Sequence, residues 1–83
     1  MKIMYFAWVR ERTGLAEEDV TPPGNVTTIG DLIGWLSSRG PEYEMAFENA
    51  DFIRAAMDHE HVEHDASILG AREVAFFPPM TGG

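Results

Sequence analysis

The chain has 83 residues, no cysteine and a formal net charge of -8. A chain this short supports one hydrophobic core, and 45% apolar residues are typical of a folded domain. The acidic charge disfavours nucleic acid and anionic lipid as partners. The lack of cysteine excludes disulfides, zinc–thiolate sites and thiol nucleophiles. With no membrane-length apolar run and no signal-peptide pattern, the sequence predicts a cytoplasmic protein that binds neither nucleic acid nor membrane.

Two strands are predicted in the first 25 residues. Residues 2–9 are rich in aromatic and β-favouring side chains and present apolar residues on both faces, as a strand inside a sheet does. The charged segment 10–14 is predicted to end this strand. Residues 17–21 are predicted to form a short polar strand that stops at Pro22-Pro23.

The main predicted helix begins after Thr28, which is a typical N-cap residue, with Asp31 near the positive helix end. Its apolar residues recur at i, i+3, i+4 and i+7 and define one core-facing stripe: Ile29, Leu32, Ile33 and Leu36. The sequence Arg39-Gly40-Pro41 predicts its end, with Gly40 in a left-handed conformation. Gly30 and Gly34 lie inside the helix, where they would let it approach the sheet closely.

The second half of the chain predicts smaller elements. Residues 41–48 are expected to form a short helix, residues 52–57 a strand and residues 58–65 a polar turn. Residues 73–77 predict a final strand, which Pro78-Pro79 terminates because proline has no N–H to donate.

These elements predict an α+β fold of the β-grasp type. The first and last strands both have two apolar faces, so both are expected at the centre of a mixed sheet, with one main helix packed across one face. The other sheet face would stay uncovered and is a candidate partner surface. The residues expected to contact a partner there are Phe77 or, in the opposite register, Phe76, with Phe6 or Trp8 on the neighbouring strand and Pro79 at the strand end.

The chain ends in a segment suited to chemistry. Residues 1–79 are expected to form the domain, and residues 80–83 (Met80, Thr81, Gly82 and Gly83) a flexible tail. Two terminal glycines allow such a tail to enter a slot too narrow for a Cβ atom. A carboxylate at Gly83 becomes an electrophile once it is adenylated, and sulfur can then displace AMP to leave a thiocarboxylate.

The string FFPPMTGG resembles the C-terminus of the small subunits of molybdopterin synthase, the MoaD type of ubiquitin-like sulfur carriers. The resemblance extends over the whole chain, through the opening MYFAWVRERTG, the helix TTIGDLIGWLSSRGP and the closing LGAREVAFFPPMTGG. It implies a ubiquitin-like β-grasp fold.

The resemblance also implies a function. A MoeB-type enzyme would use ATP to adenylate Gly83, which would then carry sulfur as a thiocarboxylate. The tail would enter a MoaE-type large subunit in a heterotetramer and pass sulfur to cyclic pyranopterin monophosphate, during molybdenum cofactor biosynthesis. The chain itself would bind no cofactor and would not be a catalyst alone. Gly83 is the position that bears sulfur, and Gly82 is its partner.

Three alternatives stay open from the sequence. A sulfur carrier of another pathway, such as the thiamine type, also ends in Gly-Gly but usually lacks the FPPxTGG context. A ubiquitin-like protein modifier would use the same activated Gly83 to form isopeptide bonds with lysines. An interaction module with an inert tail would be unaffected by loss of Gly83.

Three histidines, His59, His61 and His64, alternate with acidic residues and raise the question of a metal site. No third ligand is fixed by their spacing, and a polar turn accounts for the same composition. The sequence therefore predicts no metal.

Overall fold

The computed structural model describes residues 1–79, so the predicted tail lies outside the described residues. Its elements in chain order are β1 (Lys2–Tyr5), α1 (Ala7–Thr13), β2 (Glu17–Asp19), α2 (Ile29–Ser37), α3 (Pro41–Ala46), a 3-10 helix (Ala50–Phe52), β3 (Arg54–Met57), β4 (Glu60–Val62) and β5 (Glu73–Phe77). Within the part of the chain described, no helix combines the length and hydropathy that crossing a membrane requires.

The five strands form one mixed sheet in the order β2-β1-β5-β3-β4. The first and last strands, β1 and β5, pair in parallel, with Ile3 opposite Val74 and Tyr5 opposite Phe76. The other three pairs of neighbouring strands, β1 with β2, β3 with β5 and β3 with β4, are antiparallel. The predicted α+β fold with both terminal strands central is therefore confirmed.

The first predicted strand is too long. The chain leaves the sheet after Tyr5, and residues 7–13 form α1 in place of the predicted strand end and charged turn. Val9 and Thr13 are the buried residues of α1. Residues four apart lie on the same face of a helix, so the helical conformation directs both side chains into the core, which an extended strand would not do. Gly14 ends α1 with a φ of 79°, a conformation in which glycine carries no Cβ penalty.

The predicted main helix is confirmed, together with its cap. The Asp31 backbone N–H donates to Thr28 Oγ1 at 3.1 Å, and the Thr28 N–H donates back to Asp31 Oδ2 at 3.3 Å. Ile29 and Gly30 donate their N–H groups to carbonyls of Ala66 and His64, which satisfies two further free donors of the first helical turn.

Two glycine predictions for this helix need correction. The helix ends at Ser37, and Gly40 is the N-cap residue of α3 with a φ of 159° and a ψ of 169°, outside the left-handed helical conformation that was expected. A Cβ on Gly30 would lie 3.4 Å from the His64 carbonyl oxygen, so this glycine faces a loop and not the sheet. Gly34 has open space around it.

The predicted polar turn of residues 58–65 contains a strand, β4. Asp58 and His59 form a two-residue hairpin turn with φ values of 49° and 74°, the conformation that right-handed strand twist favours in tight hairpins. Asp58 Oδ1 accepts the N–H groups of Arg72 and Glu73, each at 3.0 Å, and so fixes the turn to the start of β5. The strand was missed because its three residues are mostly exposed and polar.

All three α-helices and one sheet face enclose the core. Fully buried side chains of the sheet point toward α2 and α3, and Phe47 packs edge-on against Phe76 with 5.3 Å between ring centroids. The core consists of these buried residues: Ile3, Tyr5, Val9, Val20, Ile29, Leu32, Ile33, Leu36, Tyr43, Ala46, Phe47, Ile53, Ala55, Ile68, Val74 and Phe76.

Candidate functional site

Strand β5 carries the C-terminal segment out of the centre of the sheet. The last backbone contact between β1 and β5 is the Phe6 N–H donating to the Phe76 carbonyl at 3.1 Å. On the other side Phe77 is opposite Arg54, the first residue of β3. Pro78 and Pro79 then have no N–H with which to continue the pairing. The chain therefore leaves the sheet between the end of β1 and the start of β3, at a point we call the tail exit.

Alternation along the strands defines an open sheet face on the side away from α2 and α3. Its centre consists of small or flexible apolar side chains, because Met4 is opposite Ala75 and Ala75 is opposite Ala56. Phe77 lies on the same face beside the tail exit and is half-buried. Phe6 continues β1 in an extended conformation and is 44% exposed, which places it on this side as well.

The charges on the open sheet face are divided between its two ends. Lys2 lies between Asp19 and Glu73 in register and forms an ion pair with Glu17 at 3.1 Å, at the end far from the tail exit. The hydrogen bond and charge of Glu17 raise the pKa of Lys2 above its ordinary value.

Near the tail exit the same face carries cationic and aromatic groups. Arg54 is exposed, and the His61 ring packs edge-on against Phe77 with centroids 5.3 Å apart. An acidic end and a cationic aromatic end thus flank the apolar centre.

A second apolar surface borders the tail exit on the side of α1. Trp8 and Phe52 line a cleft of about 350 Å³ together with Asn49, Pro78 and Pro79. Phe52 is 62% exposed, and Trp8 is half-buried. We call this surface the Trp8–Phe52 cleft. Sequence analysis missed Phe52 because it was placed in a strand, whereas the 3-10 helix turns its ring outward.

The predicted partner residues thus divide into three groups. Phe6 and Phe77 lie on the open sheet face, as expected for accessible residues beside the tail. Phe76 is wrong as a contact residue, because its side chain is fully buried in the core. Trp8 lies on α1 and not on the neighbouring strand, so it borders the cleft with Pro79.

A partly buried polar cluster ties the covered side of the sheet to the helices. One oxygen of the Glu18 carboxylate accepts hydrogen bonds from the Tyr5 and Tyr43 hydroxyls at 2.9 and 2.8 Å, and the other accepts one from Arg39 at 3.0 Å. Partial burial acts to raise the pKa of Glu18, but the hydrogen bonds from Tyr43, Tyr5 and Arg39 outweigh it and lower the pKa. Tyr5, Tyr43 and Arg39 all donate to the Glu18 carboxylate, so the cluster is structural.

The histidines do not converge. Within residues 1–79 there is no group of three or more potential metal ligands. His59 occupies the hairpin turn, His61 packs on Phe77, and His64 makes a 2.7 Å hydrogen bond with the Ile53 carbonyl.

Comparisons with known proteins show which family and which fold this chain shares. The model of the ThiS family matches residues 3–83. The molybdopterin synthase sulfur carrier subunit of Escherichia coli is 31% identical over 100% of this chain and 99% of its own length. The subunit of the same name from Haemophilus influenzae is 24% identical, with the same coverage. The crystal structure of SAMP1 from Haloferax volcanii superposes with a TM-score of 0.73 at 25% identity, covering 100% of this chain and 98% of that one.

Proposed function

The chain belongs to the ThiS family, and we propose that it is the sulfur-carrying small subunit of a molybdopterin synthase, with the sulfur held on Gly83. Its relatives named as sulfur carrier subunits of that enzyme match it over its full length. The position of the tail exit is the observation that carries the proposal, because the last strand runs through the sheet centre and the two terminal glycines follow it by only a few residues.

The chemistry proposed for Gly83 takes two steps. The Gly83 carboxylate attacks the α-phosphate of ATP on an adenylating enzyme of the MoeB type, giving an acyl-adenylate and releasing pyrophosphate. A sulfur nucleophile then attacks the carbonyl carbon and AMP leaves, because AMP is a far better leaving group than the carboxylate oxygen. The thiocarboxylate formed is itself a nucleophile.

The acceptor proposed for this sulfur is cyclic pyranopterin monophosphate, bound by a MoaE-type large subunit. Two glycines at the end of the tail allow it to enter a narrow channel in that subunit. The open sheet face, with Phe6 and Phe77 beside the tail exit, would rest against the mouth of the channel.

The chain acts in this scheme as a co-substrate and not as a catalyst alone. It needs to present its C-terminus and to be recognised, and ATP is bound by the adenylating enzyme. The arrangement of residues 1–79 is consistent with this role, since the polar cluster at Glu18 is satisfied internally and faces the helices.

Variants at Gly83 test the proposal. After incubation with adenylating enzyme, ATP and a sulfur donor, the intact mass of the wild type should rise by the difference between one sulfur and one oxygen atom. Deleting Gly83 removes about 3.3 to 3.6 Å of extended reach, and a displacement of about 1 Å can cost a hundredfold in rate. The deletion variant and a variant extended by one residue should therefore support no dithiolene synthesis with the large subunit.

Circular dichroism and binding of the folded domain to the large subunit serve as controls and should change little, because the deleted residue follows the end of β5 in the sequence. Gly82→Val should lose less activity than the deletion, through steric conflict in the channel. Full dithiolene synthesis by a chain lacking Gly83 would contradict the proposal and favour an inert tail. Mass adducts on lysines of other proteins, with no thiocarboxylate, would favour the protein-modifier alternative.

A further inference from the structure

The open sheet face is small for a stable subunit interface. Strands of about four residues and a width of five strands give a face of roughly 13 by 24 Å, or roughly 300 Å². Stable protein complexes usually bury about 800 Å² on each partner. Part of the face is also occupied by the ion pair of Lys2 and Glu17 and by Asp19 and Glu73. A stable complex with a large subunit therefore requires area beyond this face, part of it from the inserted tail and part from surfaces beside the tail exit.

The Trp8–Phe52 cleft supplies such area next to the tail exit. Pro78 and Pro79, which lead into the tail, form part of its lining. Any protein that draws the tail into a channel must come against the residues from which the tail departs. The cleft and the open sheet face lie on the two sides of that point, so one partner can cover both.

Trp8 is held in place before any partner arrives. The Arg12 guanidinium stacks over its ring at 4.5 Å and also donates to the Met45 carbonyl at 3.1 Å. A side chain ordered in advance loses less conformational entropy on binding. Tryptophan in such a setting is the residue type most often found to dominate interface energies.

The segment that carries Phe52 is acidic, and its Glu48 is paired with Arg12, the residue that stacks on Trp8, at 4.0 Å. Glu48 and Asp51 flank Asn49 and Phe52 in sequence, and both are exposed. The segment from Met45 to Phe52 contains no basic residue. A partner that fills the cleft would gain from a basic group beside its apolar contact.

We propose that the Trp8–Phe52 cleft is a second docking surface for the large subunit, filled by an apolar side chain of that subunit with a lysine or arginine beside it. The inference rests on the proposed function, because it takes the large subunit as the partner. It assigns to the cleft the affinity that the small open sheet face lacks, while the tail supplies the chemistry.

Binding measurements on the full chain and the purified large subunit test this assignment. Phe52→Ser should raise the Kd by roughly ten- to hundredfold, and Trp8→Ser should raise it by at least as much. Leu69→Ser is the matched control, because Leu69 is 92% exposed on the loop before β5, at the opposite end of the sheet, and its loss should change the Kd less than twofold. Thermal unfolding of Phe52→Ser should match the wild type, which excludes misfolding as the cause.

The charge of Asp51, next to Phe52 in the sequence, gives an independent measurement. Asp51→Asn should weaken binding a few-fold at low ionic strength, and the difference should vanish at about 1 M salt, where screening is nearly complete. A difference that persisted at high salt would contradict the role of a basic partner residue.

The outcomes separate this inference from the proposed function. Equal Kd values for Phe52→Ser and Leu69→Ser would overturn the inference, while thiocarboxylate formation at Gly83 would still stand. A Phe52→Ser variant that raises the KM of adenylation and leaves the Kd for the large subunit unchanged would assign the cleft to the adenylating enzyme and also overturn it. Failure of the wild type to bind any large subunit would contradict both the inference about the cleft and the proposed function.

Discussion

The two faces of β5 differ in what covers them. Val74 and Phe76 point to the helices and are fully buried, whereas Ala75 and Phe77 point to the open sheet face, where Ala75 is 8% exposed and Phe77 is half-buried. Residues 74–77 are all apolar, and their side chains point alternately to the two faces of the sheet. One strand thus contributes to the core with one set of side chains and to the open sheet face with the other. Apolar character alone does not tell which residue has which role.

Adjacent phenylalanines give the largest expected contrast. Phe76→Ala removes a fully buried ring that packs on Phe47 and should cost about 3–5 kcal/mol of the free energy of unfolding. Phe77→Ala should cost much less because its ring is half-exposed. Urea denaturation measures both.

Binding to the large subunit should depend more on Phe77 than on Phe76, the reverse of their effects on stability. Phe77→Glu places a charge on the open sheet face and should weaken binding to the large subunit while the domain stays folded. If both Phe77→Glu and Phe6→Glu bound normally, the open sheet face would not be the contact surface.

Two adjacent glutamates on β2 sharpen the comparison at the sheet edge. Glu18→Gln disrupts the cluster with Tyr5 and Tyr43 and should cost about 1–2 kcal/mol, toward the lower end because water partly reaches the carboxylate. Glu17→Gln removes the same charge from the open sheet face and should change stability little, because its ion pair with Lys2 is exposed. Equal losses in the two variants would show that net charge, and not the cluster, sets the effect.

The pH dependence of stability should show the same cluster. The lowered pKa of Glu18 means that its contribution is complete above its ordinary value of 4.5 and is lost as the pH falls toward the pKa of the folded state. Burial and the Glu18 hydrogen bond raise the pKa of Tyr5 and Tyr43, so their contribution is complete below 10.0 and declines above it. In Glu18→Gln the acid decline should be shallower, as measured by unfolding at a series of pH values.

Two glycines, one in α2 and one at the end of α1, give a further comparison. Gly34 lies in the helix with open space around its Cα, so Gly34→Ala should raise the free energy of unfolding by up to about 1 kcal/mol. Gly14→Ala should instead lower it by about 1–2 kcal/mol, because its φ of 79° is unfavourable for any residue with a Cβ. Thermal unfolding of the two variants should therefore shift in opposite directions.

Local patterns predicted part of this molecule well. Thr28 and Asp31 identified the start of α2, and Glu73 to Phe77 were predicted with the observed bounds. The apolar faces of the terminal strands predicted their central positions. Each of these signals lies within a few residues of the chain, where propensity and capping act.

The tertiary structure decided what local patterns left ambiguous. Residues 6–9 are apolar and suit a strand, but burial of Val9 and Thr13 against the core favours the turn into α1. This turn moved Trp8 from the sheet to the cleft, where it meets Phe52 from a segment more than forty residues away.

The sequence by itself determined the fold class, the main helix and the last strand, since these depend on periodicity, capping and residue type. The tertiary structure alone decided that Phe76 is core and Phe77 accessible, and that Trp8, Phe52 and Pro79 share one cleft. Such assignments depend on which side of a strand the helices cover and on contacts between distant segments, and no window of neighbouring residues contains that information.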